Sequence, residues 1–455
     1  MSTIVYIDSI LLEQRKKMLT DLKVSEILKK GKQKYPTSHS FDVYEVLDDD
    51  LVCIPFAYYY QHLAASFPNK DKIFENIDAT FNILLFDRQK EIRDESLKIL
   101  NETRSIVLSL FTGWGKTMFA IYLACKIKLK TVIFAHRIII IDQWKTSIIK
   151  ACGEDVKIQI VTSNCEIDPD ANFYIINVSN VPKRDRSDFS HCGVLIADEC
   201  HTLCTEKFSK TFNYVSPKYV IGLTATPVRS DGKDRVIELF CGPNIIYKPL
   251  NALFNVYLYQ TKFTPVLKKT EAGGLDWNSV LMSQSMSKRR NEILIDIIRY
   301  FSRRHILVAC KRKDHAKILM EGLKKYGEDV DCYMGSDKIV NYDCRILIVT
   351  YSKGGCGFDA PKLDMLLVAG DIEEQFLQCL GRVFRREWHF PIIIDPIDKM
   401  YTLKKHSETR CEIYKDAGGE VKNLVNYFPH FEAWRERFAT DLTDIYERLK
   451  MIYVS

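Results

Sequence analysis

Residues 105–117 read SIVLSLFTGWGKT, and this stretch decides the fold. Its first half, Ser105–Leu110, is an uninterrupted apolar run, as expected of a strand that is buried on both faces of a parallel sheet. Its second half is a short turn with two glycines, after which the helical pattern starts at Met118. A turn of this kind at a helix N-terminus directs backbone N–H groups, and the positive end of the helix dipole, at an anion. The stretch therefore predicts an α/β fold with a phosphate-binding loop.

The residues of this loop predict how a nucleotide is held. Thr112, Gly113 and Gly115 form the turn, and Lys116 is expected to reach the β- and γ-phosphates of ATP. The hydroxyl group of Thr117 is expected to bind Mg²⁺, so ATP and Mg²⁺ are the predicted cofactors. The glycine that usually opens such a loop is replaced here by a leucine, which makes the loop a variant P-loop. A glycine turn with an incidental lysine is the alternative, and the motifs below argue against it.

An acidic motif follows about eighty residues later, where the apolar run Gly193–Asp198 ends in Asp198-Glu199-Cys200-His201. A carboxylate at the tip of a strand beside a P-loop can bind the magnesium ion, so Asp198 is the second predicted metal ligand. Glu199 is then placed to orient and deprotonate the attacking water, and we predict that it is catalytic. At this distance from a P-loop, the tetrapeptide is a much stronger signal than it is alone.

The 14 cysteines of the chain include no Cys-x-x-Cys pair. They fall singly within apolar stretches, as free buried thiols do, so we expect a reducing intracellular compartment and no disulfide framework. One cluster suggests zinc as a competing interpretation, and it comprises His191, Cys192, Cys200, His201 and Cys204. Its spacing matches no common structural zinc site, and several of its members would lie within a strand. We therefore expect no zinc.

Apolar runs that are rich in valine, isoleucine and leucine recur in two sets, separated by helical stretches. The runs are Ser105–Leu110, Thr131–Ala135, Phe173–Val178, Gly193–Asp198 and Tyr219–Thr224 in the first set, and Ile306–Cys310, Arg345–Thr350, Met365–Gly370 and Pro391–Asp395 in the second. Two such sets predict two α/β lobes with parallel sheets. The predicted division is a small α+β accessory region over 1–77, a first lobe over 78–246, a connection over 247–287, a second lobe over 288–405 and a helical extension over 406–455.

Two further motifs complete the predicted chemistry. The strand that ends at Thr224 is followed by Thr226, and these hydroxyl groups are expected to hydrogen-bond the acidic motif and to couple the nucleotide state to lobe movement. In the second lobe, Gln378, Arg382 and Arg385 fall within one predicted helix, with the two arginines three residues apart on one face. Guanidinium groups directed at a γ-phosphate stabilise the charge that develops in the transition state. We therefore predict that these three residues are catalytic and that hydrolysis needs both lobes.

Together these motifs resemble those of the DEAD/H-type helicases of superfamily 2, with a DECH version of the acidic box, over roughly residues 80–400. A narrower resemblance, carried by Gly222–Gly232, Cys241–Pro243 and Arg290-Asn291, is to the branch that contains XPB and the phage UvsW helicase. The poxvirus transcript-release helicase and its relatives in large cytoplasmic DNA viruses are similar too. The resemblance implies two tandem RecA-like lobes that hydrolyse ATP and move along DNA. It also implies a viral source, with the host cytoplasm, the host nucleus or the virion as the location.

The resemblance implies further nucleotide contacts. Phe86 and Gln89 match the Q-motif, so Gln89 would recognise the adenine edge and Phe86 would stack on the base. In the second lobe, Gly357 and Asp359 match the fifth motif of the family, which touches the nucleotide in relatives.

Nucleic-acid contacts are implied in the same way for Arg137, Thr350 and Tyr351, while the neighbouring His136 departs from the family pattern and has no assigned role. The net charge of +6 permits a nucleic-acid partner without requiring one. The expected partner is DNA, as a single strand or a duplex junction, with 3′ to 5′ movement, and RNA is left open.

Three alternatives and the remaining partners complete the expectations. A non-hydrolysing ATP-dependent clamp or annealing factor and a small-molecule kinase are the rivals from other classes, and an RNA helicase is the rival within the class. The terminal regions, 1–77 and 406–455, are candidate surfaces for transcription, replication or repair proteins. No apolar run approaches the ~20 residues of a membrane span, so no membrane partner is expected.

Overall fold

The computed structural model describes residues 2–26, 39–65, 73–225, 234–271, 273–334, 340–351, 358, 360–372, 376–385 and 390–454. These residues form two compact units, Met1–Pro249 and Leu250–Ser455. Each unit contains one seven-stranded sheet in which every pairing of neighbouring strands is parallel. The predicted α/β class with two RecA-like lobes is confirmed. Within the part of the chain that is described, no helix is long and apolar enough to cross a membrane.

The first unit opens with a small α+β region. Its elements are β1 (Ser2–Tyr6), α1 (Leu12–Asp21), β2 (Lys23–Glu26), β3 (His39–Asp42), β4 (Glu45–Asp48), β5 (Leu51–Pro55) and α2 (Phe56–His62). Strands β1, β5 and β4 form an antiparallel sheet, and β2 pairs with β3. The buried side chains of this region, such as Ile54 and Phe56, belong to the same hydrophobic core as Val107 and Val132 of the large sheet. The N-terminal region is therefore packed onto the first lobe.

The large sheet of the first unit has the order β12-β6-β11-β10-β7-β9-β8. Its elements are α3 (Asp87–Thr103), β6 (Ser105–Leu110), α4 (Lys116–Ile127), β7 (Thr131–Ala135), α5 (Ile138–Cys152), β8 (Ile158–Val161), β9 (Phe173–Asn177), β10 (Val194–Ala197), α6 (Cys200–Leu203), α7 (Glu206–Ser209), β11 (Tyr219–Thr224), α8 (Asp234–Cys241) and β12 (Ile245–Lys248), with 3₁₀ helices at Val178–Lys183 and Lys210–Tyr214. The five predicted strands are present with ends within one residue of the prediction. Because β6, β11, β10 and β7 are neighbours and parallel, their carboxyl ends meet at one edge.

The large sheet of the second unit has the order β15-β16-β14-β17-β18-β13-β19. Its elements are β13 (Phe254–Gln260), α9 (Trp277–Met286), α10 (Lys288–Tyr300), β14 (Ile306–Cys310), α11 (Lys313–Lys325), β15 (Val330–Tyr333), β16 (Ile346–Thr350), β17 (Met365–Val368), α12 (Phe376–Leu380), β18 (Ile392–Ile397), α13 (Tyr401–Asp416), β19 (Gly419–Asn423), α14 (Leu424–Tyr427), α15 (His430–Phe438) and α16 (Thr443–Val454).

The second unit differs from the predicted division in two places. Strand β13 lies within the stretch predicted as a connection, yet it is paired on both sides by β18 and β19. Strand β19 lies within the predicted helical extension, and its polar sequence gave no apolar run to mark it. Both strands escaped the prediction because the signal used was an apolar run between helices. The helices that follow also pack on this lobe, since Phe431 and Leu442 are fully buried in its core.

Candidate functional site

The phosphate loop joins the carboxyl end of β6 to the first residue of α4. Gly113 and Gly115 have φ angles of 92° and 97°, in the left-handed region that glycine adopts most readily. A Cβ atom on Gly115 would also lie 2.7 Å from Nε2 of Gln89. Lys116 and Thr117 occupy the first turn of α4, where backbone N–H groups have no acceptor within the helix. The loop therefore has the backbone geometry of a cradle for phosphate oxygens, and it fits the predicted nucleotide.

The side chains of the loop are arranged around that backbone. Nζ of Lys116 donates a 2.9 Å hydrogen bond to the carbonyl oxygen of Leu110, so the ammonium group lies at the end of β6. Trp114 is 2% exposed, and its ring packs edge-on against Phe119 with 5.6 Å between centroids. The bulky residue of this variant loop thus anchors the loop in the core of the lobe. Thr112 is partly exposed in the turn.

The Q-motif packs against the phosphate loop. Oε1 of Gln89 accepts a 2.9 Å bond from the backbone N–H of Phe86, and Nε2 of Gln89 donates a 3.3 Å bond to Gly115 O. Nη2 of Arg88 donates a 3.3 Å bond to Gly113 O, and its guanidinium carbon lies 5.2 Å from the centroid of the Phe86 ring. Gln89 is buried, whereas Phe86 is 47% exposed and presents its ring to solvent. The sequence reasoning missed Arg88, although it lies between the two residues that were chosen.

The acidic box begins with a buried carboxylate. Oδ2 of Asp198 accepts a 2.8 Å bond from the indole N–H of Trp144, and Oδ1 accepts a 3.0 Å bond from the backbone N–H of Glu199. Burial and the neighbouring Glu199 carboxylate raise the pKa of Asp198 to about 6, while the Trp144 bond and the charge of Lys116 act in the opposite direction. A rigid carboxylate of this kind fits a hard divalent cation, which favours the charged form. Trp144 was missed, because its spacing in α5 looks like that of a core residue.

The acidic box is joined to the neighbouring strand. Glu199 has a left-handed backbone with φ 49°, which is strained for a residue other than glycine and is found mostly at functional sites. Nδ1 of His201 lies 2.9 Å from Oγ1 of Thr224 at the end of β11, and the expected bond between these motifs is thus observed. The same nitrogen lies 3.4 Å from Oε2 of Glu199 without forming a hydrogen bond to it. Thr226 lies outside the described residues.

In the second unit, Arg382 and Arg385 share one acceptor. Nη1 of Arg382 and Nη2 of Arg385 donate bonds of 3.1 and 2.8 Å to the carbonyl oxygen of Phe358. The single helix predicted here is not formed, because α12 ends before a 3₁₀ turn at Gly381–Val383, and Arg385 follows that turn. Residues three apart still share a side, because i and i+3 eclipse in 3₁₀ geometry. Gln378 lies within α12 and is partly exposed.

The predicted nucleic-acid contacts are placed unequally. Arg137 is partly exposed at the N-terminus of α5. Thr350 and Tyr351 are only 4% and 5% exposed, and the hydroxyl group of Tyr351 donates to Gly370 O. The Tyr351 ring therefore faces the interior, contrary to its predicted contact with a strand, because a motif match fixes chain position and not side-chain direction. Gly357 and Asp359 lie outside the described residues.

The zinc interpretation does not fit the fold. His191 and Cys192 precede β10, whereas Cys200, His201 and Cys204 follow it. A strand that rises roughly 3.3 Å per residue separates the two groups by far more than a metal–ligand distance. Among the described residues, no group of three or more histidine, cysteine or acidic side chains could hold a metal ion.

With this geometry in place, comparisons with known proteins define the class. A family model described as "Type III restriction enzyme, res subunit" matches residues 82–229. "Putative helicase 161L" of Invertebrate iridescent virus 6 is 35% identical over 402 residues, which cover 83% of this chain and 90% of that protein. The chain therefore belongs to the superfamily 2 helicases of large DNA viruses, which are enzymes that hydrolyse ATP and bind nucleic acid.

More distant relatives agree with this assignment. "Putative ATP-dependent RNA helicase L396" of Acanthamoeba polyphaga mimivirus is 26% identical over 89% of this chain and 82% of that protein. "DNA 3'-5' translocase XPB2" of Sulfurisphaera tokodaii is 30% identical over 45% of this chain and 47% of that protein. The solved structure "S. cerevisiae Dbp5 bound to RNA and ADP BeF3" matches with a TM-score of 0.56 at 13% identity, over 76% of this chain and 93% of that one. At this identity, the structural match supports the fold alone.

Proposed function

We propose that this helicase is a DNA translocase that moves 3′ to 5′ along one strand and is driven by hydrolysis of magnesium-bound ATP. The observation that carries the proposal is the carboxyl edge of the first sheet. There the phosphate loop, the acidic box and Thr224 follow three adjacent strands, β6, β10 and β11, and His201 links the last two through its 2.9 Å contact with Thr224. This arrangement connects a nucleotide site to a strand that can report its state.

The first unit would bind and activate the nucleotide. Lys116 and the first turn of α4 would hold the phosphates, and Thr117 and Asp198 would bind Mg²⁺, which supplies positive charge to the phosphate oxygens. Glu199 would orient the attacking water and accept its proton. Phe86 would stack on the adenine, an assignment that its exposed ring supports.

The second unit would complete the reaction. Arg382 and Arg385 would stabilise the charge on the γ-phosphate, with Gln378 beside them, and Gly357 and Asp359 would contact the nucleotide. Their shared acceptor, Phe358 O, supports a joint role for the two arginines. Because the arginines belong to a different unit from Lys116, hydrolysis would require relative movement of the units, and this movement would drive translocation.

Contacts with the nucleic acid would be mainly to phosphates, with Arg137 as a donor and the fifth motif contributing through the backbone near Thr350. Such contacts give little sequence preference. DNA is favoured by the narrower resemblance to the branch of XPB2, whose printed name states a DNA translocase. RNA is the second candidate, because the mimivirus relative is named an RNA helicase.

The test compares ATP hydrolysis in the presence of DNA and RNA single strands of one sequence, followed by displacement of streptavidin from either end of the favoured strand. Greater stimulation by DNA, and displacement from the 5′ end only, are expected. Greater stimulation by RNA would overturn the DNA assignment, and hydrolysis without displacement would favour a clamp or annealing factor.

The variant Glu199→Gln tests the chemistry beneath this proposal. It should bind ATP as the parent does and should lose hydrolysis, because the amide cannot accept the proton of the attacking water. Lys116→Ala should lose both binding and hydrolysis, which separates the two roles. Parental turnover in Glu199→Gln would remove the catalytic assignment.

A further inference from the structure

His136 occupies a place beside the acidic box that its sequence does not reveal. Strand β7 is parallel to β10, with Phe134 opposite Ala197, and the backbone N–H of Asp198 donates a 3.0 Å bond to Phe134 O. Continued by two residues, this register brings His136 opposite Glu199. The next residue along the chain is Arg137, the proposed phosphate contact. His136 therefore lies between a strand-binding residue and the catalytic carboxylate.

Two polar atoms at this place have complementary chemistry. Nδ1 of His136 and Oε2 of Glu199 are both buried, and neither has a hydrogen-bond partner among the described residues. His201 does not satisfy Oε2, because its Nδ1 atom bonds Thr224 instead. A buried polar group without a partner is unfavourable, so a donor and an acceptor in this position favour a conformation in which they meet.

The electrostatics keep the imidazole in its neutral form. Burial lowers the pKa of His136 to about 4, the adjacent Arg137 lowers it further, and the Glu199 carboxylate opposes them only in part. A neutral imidazole carries one N–H group, and its tautomer is set by the acceptor that is available. At neutral pH, His136 is therefore suited to orient a carboxylate without accepting a proton itself.

We propose that His136 is a positioning residue for Glu199, and that its Nδ1–H group donates to Oε2 of Glu199 when a nucleic-acid strand is bound at Arg137. The inference rests on the proposed role of Glu199 in hydrolysis. Because His136 and Arg137 are consecutive in the turn after β7, movement of this turn on a phosphate moves the imidazole as well. The contact aims the carboxylate at the attacking water, and it gives the ATPase a way to respond to its nucleic acid.

The test uses His136→Ala, which removes the donor, and His136→Asn, whose amide N–H lies near the position of Nδ1. With a saturating oligo(dT) strand, the alanine variant should lose about tenfold in kcat, as expected for one hydrogen bond to a charged group. The ratio of strand-stimulated to unstimulated turnover should fall, whereas KM for ATP and the affinity for the strand should change by less than about twofold. The asparagine variant should recover most of kcat. His191→Ala is the matched control, because His191 is half-buried at the opposite end of the same sheet and contacts Tyr174.

Each outcome decides the inference. Parental kcat in His136→Ala overturns it, and so does a defect confined to strand affinity, since His136 would then be only a phosphate contact. If the alanine variant does not fold, His136→Leu fills the space without a donor and must show the same loss of kcat. An asparagine variant as slow as the alanine or leucine variant also overturns it. Hydrolysis by Glu199→Gln would instead remove the role of Glu199, so the two failures are distinguishable.

Discussion

The carboxyl edges of the two large sheets have the same architecture and opposite electrostatics. At the edge of the first sheet, Asp198 and Glu199 are adjacent carboxylates, and no ion pair between either of them and a lysine or arginine is found among the described residues. Trp144 and a backbone N–H bind Asp198, while Oε2 of Glu199 accepts no hydrogen bond from the described part of the chain. This edge retains uncompensated negative charge, which is what a divalent cation requires.

At the edge of the second sheet, every buried carboxylate is paired. Arg290 donates to both oxygens of Asp398 at 3.0 and 2.9 Å, and Arg410 donates to both oxygens of Asp395 at 2.8 Å. Asp371, beyond the end of β17, lies 2.8 Å from Nδ1 of His406. Bidentate pairs of this kind leave no carboxylate free for a metal ion. The comparison teaches that one edge is organised for a ligand and the other to hold its lobe together.

The largest expected effect separates the two units by chemistry. Arg385→Ala removes a guanidinium group that is proposed to act only in the transition state, so kcat should fall about a thousandfold with little change in ATP affinity. Single-turnover hydrolysis and equilibrium nucleotide binding measure the two quantities. Arg303→Ala, which changes an arginine of the same unit outside the proposed site, is the control. A defect in affinity alone would mean that the second unit contributes binding and not catalysis.

The sequence predicted much of this comparison for the first edge and little of it for the second. Lys116, Asp198 and Thr224 follow apolar strands at motif spacing, so a linear pattern locates them. The pairing of Arg290 with Asp398 joins residues 108 positions apart, and no local pattern reports such a contact. Likewise, the indole of Trp144 has the spacing of a core residue, and only the folded chain shows that it donates to a carboxylate.

Side-chain direction was the second limit of the sequence. Tyr351 lies at the expected end of β16, but its ring points inward and its hydroxyl group binds Gly370. The five strands of the first sheet were predictable because burial on both faces leaves a continuous apolar run. Strand β19 has no such run, because it is a polar edge strand that pairs only with β13.

The next effect concerns stability and sharpens the electrostatic contrast. Asp398→Asn leaves the buried guanidinium of Arg290 without its counter-charge, so the free energy of unfolding should fall by about 3–5 kcal/mol. Asp198→Asn should cause no such loss, because the raised pKa of Asp198 means that burial of its charged form is unfavourable. Urea unfolding in the presence of EDTA measures both. Equal destabilisation by the two changes would show that the edges are not electrostatically different.

The pH dependence of Asp198 has a defined sign. Its folded pKa of about 6 lies above the unfolded value of about 3.9, so the folded state holds the proton more tightly. The stability that this group contributes is therefore present at low pH and is lost as the pH rises from about 4 to about 6. The difference in unfolding free energy between the parent and Asp198→Asn should change across that window and be constant above it. A difference that does not vary with pH would contradict the assignment.

The smallest expected effect tests the one contact that tunes the uncompensated edge. Trp144→Phe keeps the buried ring and removes the indole N–H that Asp198 accepts, a bond that lowers the pKa of this carboxyl. The pKa should rise further, so protons should compete better with Mg²⁺ and the Mg²⁺ concentration for half-maximal hydrolysis should increase by about fivefold. Trp434→Phe in the second unit is the matched control. Because the mechanism is competition with protons, the increase should be larger at pH 6 than at pH 8, and an increase that is equal at both would mean that Trp144 acts through packing alone.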